Sequence, residues 1–118
     1  SKRHLLAAED SQVKIRSIQT RAFDTTDKKA MLRAIMATLQ DLGFVLDNAD
    51  DVLGTVSATK LKGYRLRMTV YARERGTTQI MVRASAQYNL DVVDDPETYQ
   101  QFFDALSKSV FLAAQEVD

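Results

Sequence analysis

The chain has 118 residues, no cysteine and one histidine, and its 16 Lys and Arg balance 16 Asp and Glu. A chain of this length is one domain by the usual prior and buries about two-thirds of its unfolded surface, so it folds without staples. Lack of cysteine excludes disulfides, thiolate catalysis and cysteine metal sites, and zero net charge removes any global field toward nucleic acid or an anionic membrane.

Ser1 to Gln12 mixes Lys2, Arg3, His4, Glu9 and Asp10 with a short Leu5-Leu6-Ala7-Ala8 patch and reads as a flexible tether. Residues 13–118 are then expected to form a single α+β domain. A chain that starts on Ser1 is expected to be a processed or trimmed product, with any targeting information upstream. From Val13 the pattern turns strand-like: Val13 and Ile15 share one parity, and Ile18, Thr20 and Ala22 share the other. The switch predicts a bulge near Ser17, or a strand that begins only after it.

Asp24-Thr25-Thr26-Asp27 supplies helix caps, and Met31, Leu32, Ile35, Met36, Leu39 and Leu42 form a stripe at helical spacing. Gly43 is placed to close that helix in the left-handed conformation. Phe44-Val45-Leu46 restarts an extended segment, and Asp47 to Gly54 reads as a loop or tight reversal. Thr55 to Lys60 alternates again, and Leu61-Lys62-Gly63 turns the chain.

The clearest signal follows. From Tyr64 to Arg73, Leu66, Met68, Val70 and Ala72 alternate with Arg65, Arg67, Thr69, Tyr71 and Arg73. From Ile80 to Tyr88, Ile80, Val82, Ala84 and Ala86 alternate with Met81, Arg83, Ser85 and Gln87. Joined by Glu74-Arg75-Gly76-Thr77-Thr78, these segments predict an antiparallel hairpin with one buried face. Asn89 to Val93 extends the second strand or crosses to the last helix. Asp94 and Asp95 cap that helix and Pro96 occupies its first turn, with Tyr99, Phe102, Phe103, Leu106, Val110 and Ala113 on one stripe that Phe111 and Leu112 widen.

The order is β-α-β-β-β-β-α, or one strand fewer if Phe44 to Lys60 is a single bent strand. Two helices separated by consecutive strands cannot supply parallel crossovers, so the expected fold is an α+β two-layer sandwich, an antiparallel meander with both helices on one face. The other face is then open, or covered only by a partner.

Chemistry-bearing groups are few. His4 is the one histidine and lies in the tether, which excludes a serine-histidine triad and a multi-histidine metal site. No phosphate loop or dinucleotide turn is present. The acidic run Asp47-Asn48-Ala49-Asp50-Asp51 lacks the ligand spacing, central glycine and terminal glutamate of a calcium loop, and reads as a turn. No cofactor and no metal are expected, and the chain is expected not to be an enzyme. The candidate binding surface is the outward side of the hairpin: Arg65, Arg67, Tyr71, Arg73, Met81 and Arg83.

The run Leu39-Gln40-Asp41-Leu42-Gly43-Phe44, followed by Asp50 and Leu53-Gly54, resembles the repeated domains of BamC-like bacterial outer-membrane lipoproteins over about Ile18 to Ala114. More loosely, it is similar to small lipoproteins of Gram-negative bacteria. The resemblance implies a non-enzymatic periplasmic accessory module and supplies no site residues to carry over. The chain departs from the pattern in having no lipid-bearing cysteine, one such domain and no tryptophan.

The leading expectation is therefore a periplasmic domain, held at the outer membrane through a lipid anchor upstream of Ser1, that binds an envelope protein by its arginine face or an edge strand. A second is a small-molecule or lipid binder with a cavity between the sheet and the last helix, where Ala58, Ala72, Ala84 and Ala86 leave room. A third is an RNA-binding module on the outer face, less favoured because of the neutral charge.

Overall fold

The structure, a computed structural model, describes residues 1–115. Its elements run α1 (Lys2–Ile18), β1 (Thr20–Phe23), α2 (Lys28–Asp41), β2 (Val45–Asp50), β3 (Thr55–Leu61), β4 (Arg65–Arg75), β5 (Gln79–Tyr88), β6 (Asp91–Val92) and α3 (Pro96–Ala114). The fold is α+β, with an antiparallel sheet in the order β1-β5-β4-β3-β2 and β6 paired to β5. Strands β2 to β5 form the expected meander. Helix α2 carries the chain from β1 at one edge to β2 at the other.

Lys2 to Gln12 are helical, and α1 continues through Ile18, so no strand starts at Val13. Two alternating apolar residues fit a helix as well as a strand, and the Leu, Ala, Lys, Arg and Glu content around them favours the helix. Ser1 accepts the His4 N–H as its cap, and no side chain of α1 is buried. The strand begins at Thr20, after the change of parity. Because α1 meets the core only at its end, through Ile18, the radius of gyration is 15.3 Å, against about 13.5 Å for a compact domain of this length.

Helix α2 starts where Asp27 Oδ1 accepts the Ala30 N–H at 3.0 Å. It ends in a Schellman turn: Gly43 has φ +93°, and the Phe44 N–H returns to the Leu39 carbonyl at 2.9 Å. Phe44 is buried as the hydrophobic closure of that turn, and Lys60 Nζ donates to the Leu42 carbonyl at 2.8 Å. The Leu-Gly-Phe sequence thus has a local physical cause.

Strand β2 includes Asp47 to Asp50, which the sequence placed in a loop. Its register against β3 slips between Leu46 and Asn48, leaving Asp47 as a bulge. Asp47 Oδ2 accepts from Thr59 Oγ1 at 2.6 Å. The reversal is confined to the residues after Asp50, where Asp50 Oδ1 accepts from the N–H groups of Val52 and Leu53 at 3.0 and 2.9 Å. Acidic residues therefore serve both a strand and a turn, and periodicity could not separate the two.

The core lies between the sheet and the α2/α3 layer. Leu66, Met68, Val70, Ala72, Ile80, Val82, Ala84 and Ala86 are all buried there with Met31, Ile35, Leu39, Tyr99, Phe102, Phe103 and Leu106. Phe111 and Leu112 are exposed and do not widen that stripe. Val110, Ala113 and Ala114 take the side of α3 that faces Ala30, Met31 and Ala34 of α2, which turns Phe111 and Leu112 outward.

Candidate functional site

The face of the sheet opposite the helices has no covering layer. Register places its side chains in rows across the strands: Thr20, Arg83, Tyr71 and Thr55 in one, Arg67 between Gln87 and Thr59 in another, and Arg65 beside Leu61 at the end. Met81 and Arg73 are cross-strand partners. All six residues singled out from the sequence thus share one face, on the neighbouring strands β4 and β5.

Their surroundings differ. The Arg73 guanidinium lies 4.7 Å from the Tyr71 ring centroid and the Arg83 guanidinium 5.7 Å from it, a cation–π arrangement on a half-buried ring. Arg83 also donates through Nε to Thr20 Oγ1 at 3.1 Å, and Thr20 donates on to the Arg16 carbonyl at 2.7 Å. Arg83 therefore has an internal partner and ties the open face to the last turn of α1, a link no spacing rule could have found. Arg65 and Arg67 are exposed. Among the described residues the salt bridge is Arg21 with Asp104 at 3.6 Å, on the helix side, so none of the four open-face arginines meets a carboxylate.

The edges are less inviting than the face. The outer side of β5 is occupied by β1 over Ile80 to Arg83 and by β6 at Gln87 and Tyr88, and Ala84 N–H between them donates to the Gln19 carbonyl at 2.8 Å. The strand order ends on β1, only four residues long, and on β2, where the bulge at Asp47 and the acidic residues beside it disrupt a regular ladder. Natural sheets use such features against strand addition.

Ala58, Ala72, Ala84 and Ala86 are fully buried in the same cluster as the α3 aromatics, so the space they leave is occupied by core side chains. An apolar cleft of about 300 Å³ lies elsewhere, between the start of α2 and the end of α3, lined by Ala30, Met31, Ala34, Val110 and Ala113. His4 is exposed on α1. No group of three or more His, Cys, Asp or Glu side chains comes together among the described residues in a way that could hold a metal ion.

Sequence reasoning missed one polar centre. Tyr99 is fully buried, yet its hydroxyl donates to the Val93 carbonyl at 2.6 Å and accepts from Ala86 N–H and Gln19 Nε2, each at 3.1 Å. It joins α3, β5, the α1–β1 junction and the segment before α3. An isolated Tyr in an apolar stripe signals only that its hydroxyl needs a partner.

No protein-family model matches the chain, and no curated protein matches it in a sequence comparison.

Proposed function

We propose that this domain is a non-catalytic accessory module that binds an acidic segment of an envelope protein through its open sheet face. The observation that carries the proposal is the set of four arginines on β4 and β5 that meet no carboxylate within the described chain. A guanidinium offers a planar fork of donors that matches a carboxylate bidentately, and Arg65 and Arg67 are free to do so. Tyr71 already carries two guanidiniums, which weighs against base stacking and hence against RNA. The bulged, acidic β2 edge directs attention to the face. The envelope location and the lipid anchor upstream of Ser1 rest on the resemblance to BamC-like lipoproteins.

The test is capture from envelope extract with the wild-type chain and with Arg65→Glu/Arg67→Glu/Arg73→Glu. Arg83 is left intact because of its bond to Thr20. The captured protein should elute as salt rises and be lost from the triple variant. Recovery of the same proteins in the same amounts by both would exclude the face as the site.

A further inference from the structure

One end of the sheet carries exposed apolar side chains that the core does not use, next to Arg65 of the open face. The β3–β4 turn presents Leu61, 78% exposed, and the β5–β6 turn presents Leu90, 91% exposed. The two turns are neighbours: Asn89 N–H donates to the Arg65 carbonyl at 2.8 Å, and the Tyr64 and Tyr88 rings stack with centroids 4.2 Å apart. Tyr88 and Asp91 pair across the second turn, so Asn89 and Leu90 form its tip. Asn89 takes the left-handed conformation, φ 56°, that so short a reversal requires. Val92 is exposed just behind it.

We propose that these two turns dock the domain on the surface of a lipid bilayer. Leu61 and Leu90 would enter the acyl boundary, with the tyrosine pair at headgroup depth. Three features favour lipid over a protein partner. Leu90 stands at a turn tip and Leu61 ends β3 beside Arg65, both largely exposed, whereas the anchors of a protein interface sit packed at the centre of a patch. A bilayer asks for no such complementarity. Tyr64 and Tyr88 combine an apolar ring with a polar hydroxyl, the character that places tyrosine at membrane–water boundaries. The same end holds Lys62 and Arg65, which suit lipid phosphates, with Asp91 on the second turn and Asp47 beside Leu61 and Arg65 as the nearby carboxylates.

The experiment is flotation of the full chain with vesicles of phosphatidylethanolamine containing phosphatidylglycerol, and with vesicles of phosphatidylcholine alone. The wild-type chain should float with the first and more weakly with the second. Leu61→Asp and Leu90→Asp should each reduce the bound fraction about tenfold, equivalent to ~1.4 kcal/mol, with unchanged thermal melts because both sites are exposed. The chain has no tryptophan, so Leu90→Trp supplies a unique reporter whose emission should shift to the blue and be quenched by lipids brominated near the headgroup. The proposal falls if the wild-type chain floats with neither vesicle, or if the Asp variants float as it does. It also falls if the wild-type chain does not float while the Asp variants lose a protein partner, which would make the turns a protein contact. Arg65 stands at both surfaces, so the two readings are told apart by Leu61→Asp and Leu90→Asp on one side and by Arg67→Glu/Arg73→Glu, which plays no part here, on the other.

Discussion

Replacing Tyr99 by Phe removes one oxygen and leaves the aromatic packing of α3 in place. Three groups lose a partner: the Ala86 N–H, the Gln19 side-chain amide and the Val93 carbonyl. A buried donor left without an acceptor costs about 1 to 3 kcal/mol, and each ordinary hydrogen bond contributes about 1 kcal/mol. Ala86 lies wholly inside the core and Gln19 is nearly so, whereas Val93 is only partly buried and also donates its own N–H to the Ala86 carbonyl. The expected loss is thus about 3 kcal/mol, with the Ala86 donor the largest part. A domain of this size has a total stability of about 6 to 18 kcal/mol, so the variant should fold but unfold at clearly lower urea. Equilibrium urea denaturation of the wild-type chain and Tyr99→Phe, with an unchanged slope, measures the difference. A cycle with Gln19→Ala should give a coupling of about 1 kcal/mol between the two side chains. A loss under about 1 kcal/mol for Tyr99→Phe would show that the orphaned groups find new partners, and the reasoning would be wrong.

Gly54 has φ +72°, and a Cβ there would lie 2.7 Å from the Ala72 carbonyl oxygen, whereas Gly63 has φ +74° with nothing within 4 Å. Gly54→Ala should therefore cost about 2 kcal/mol or more and Gly63→Ala only about 1 kcal/mol by thermal denaturation; equal losses would refute the steric part. Thr38 Oγ1 is buried without a hydrogen-bond partner, so Thr38→Val should raise stability by about 1 kcal/mol, and a fall would reveal a partner. The Tyr88 hydroxyl is held above its ordinary value of 10.0, first by desolvation and then by the neighbouring Tyr64 hydroxyl. Since the folded state holds this proton more tightly, the contribution to stability is complete below pH 10.0 and is lost as pH rises through the folded value. In phenolate absorbance the Tyr88 titration should move down in Tyr64→Phe, and no movement would sever the link between the pair.

The hairpin was legible in detail. Every residue of the inward sets from Leu66 to Ala72 and from Ile80 to Ala86 is buried, and the six outward candidates share one face. Alternation at one-sided burial is a strong signal, and here it extends over two long strands. The Asp27, Gly43 and Asp95 boundaries were legible for a related reason, since capping is chemistry between residues a few positions apart. Helix α1 was not. Its apolar residues form no clear stripe because it fully buries none of them and packs only Ile18 against the core, so the pattern that marks a helix was absent although the helix was not. Strand β2 was hidden by the bulge at Asp47, which breaks the alternation that would have marked it.

By itself the sequence determined the α+β class, the buried and open faces of the β4–β5 hairpin, and the thin supply of catalytic side chains, because periodicity and composition are local properties. Only the tertiary structure decided which polar atoms meet. It brought Gln19, Ala86 and Val93 to one hydroxyl on α3 and tied Arg83 through Thr20 to α1. It also set the turns of Leu61 and Leu90 side by side, 29 residues apart in the chain. Those meetings depend on strand order and register across the whole sheet, which pairing of distant segments fixes and no local pattern records.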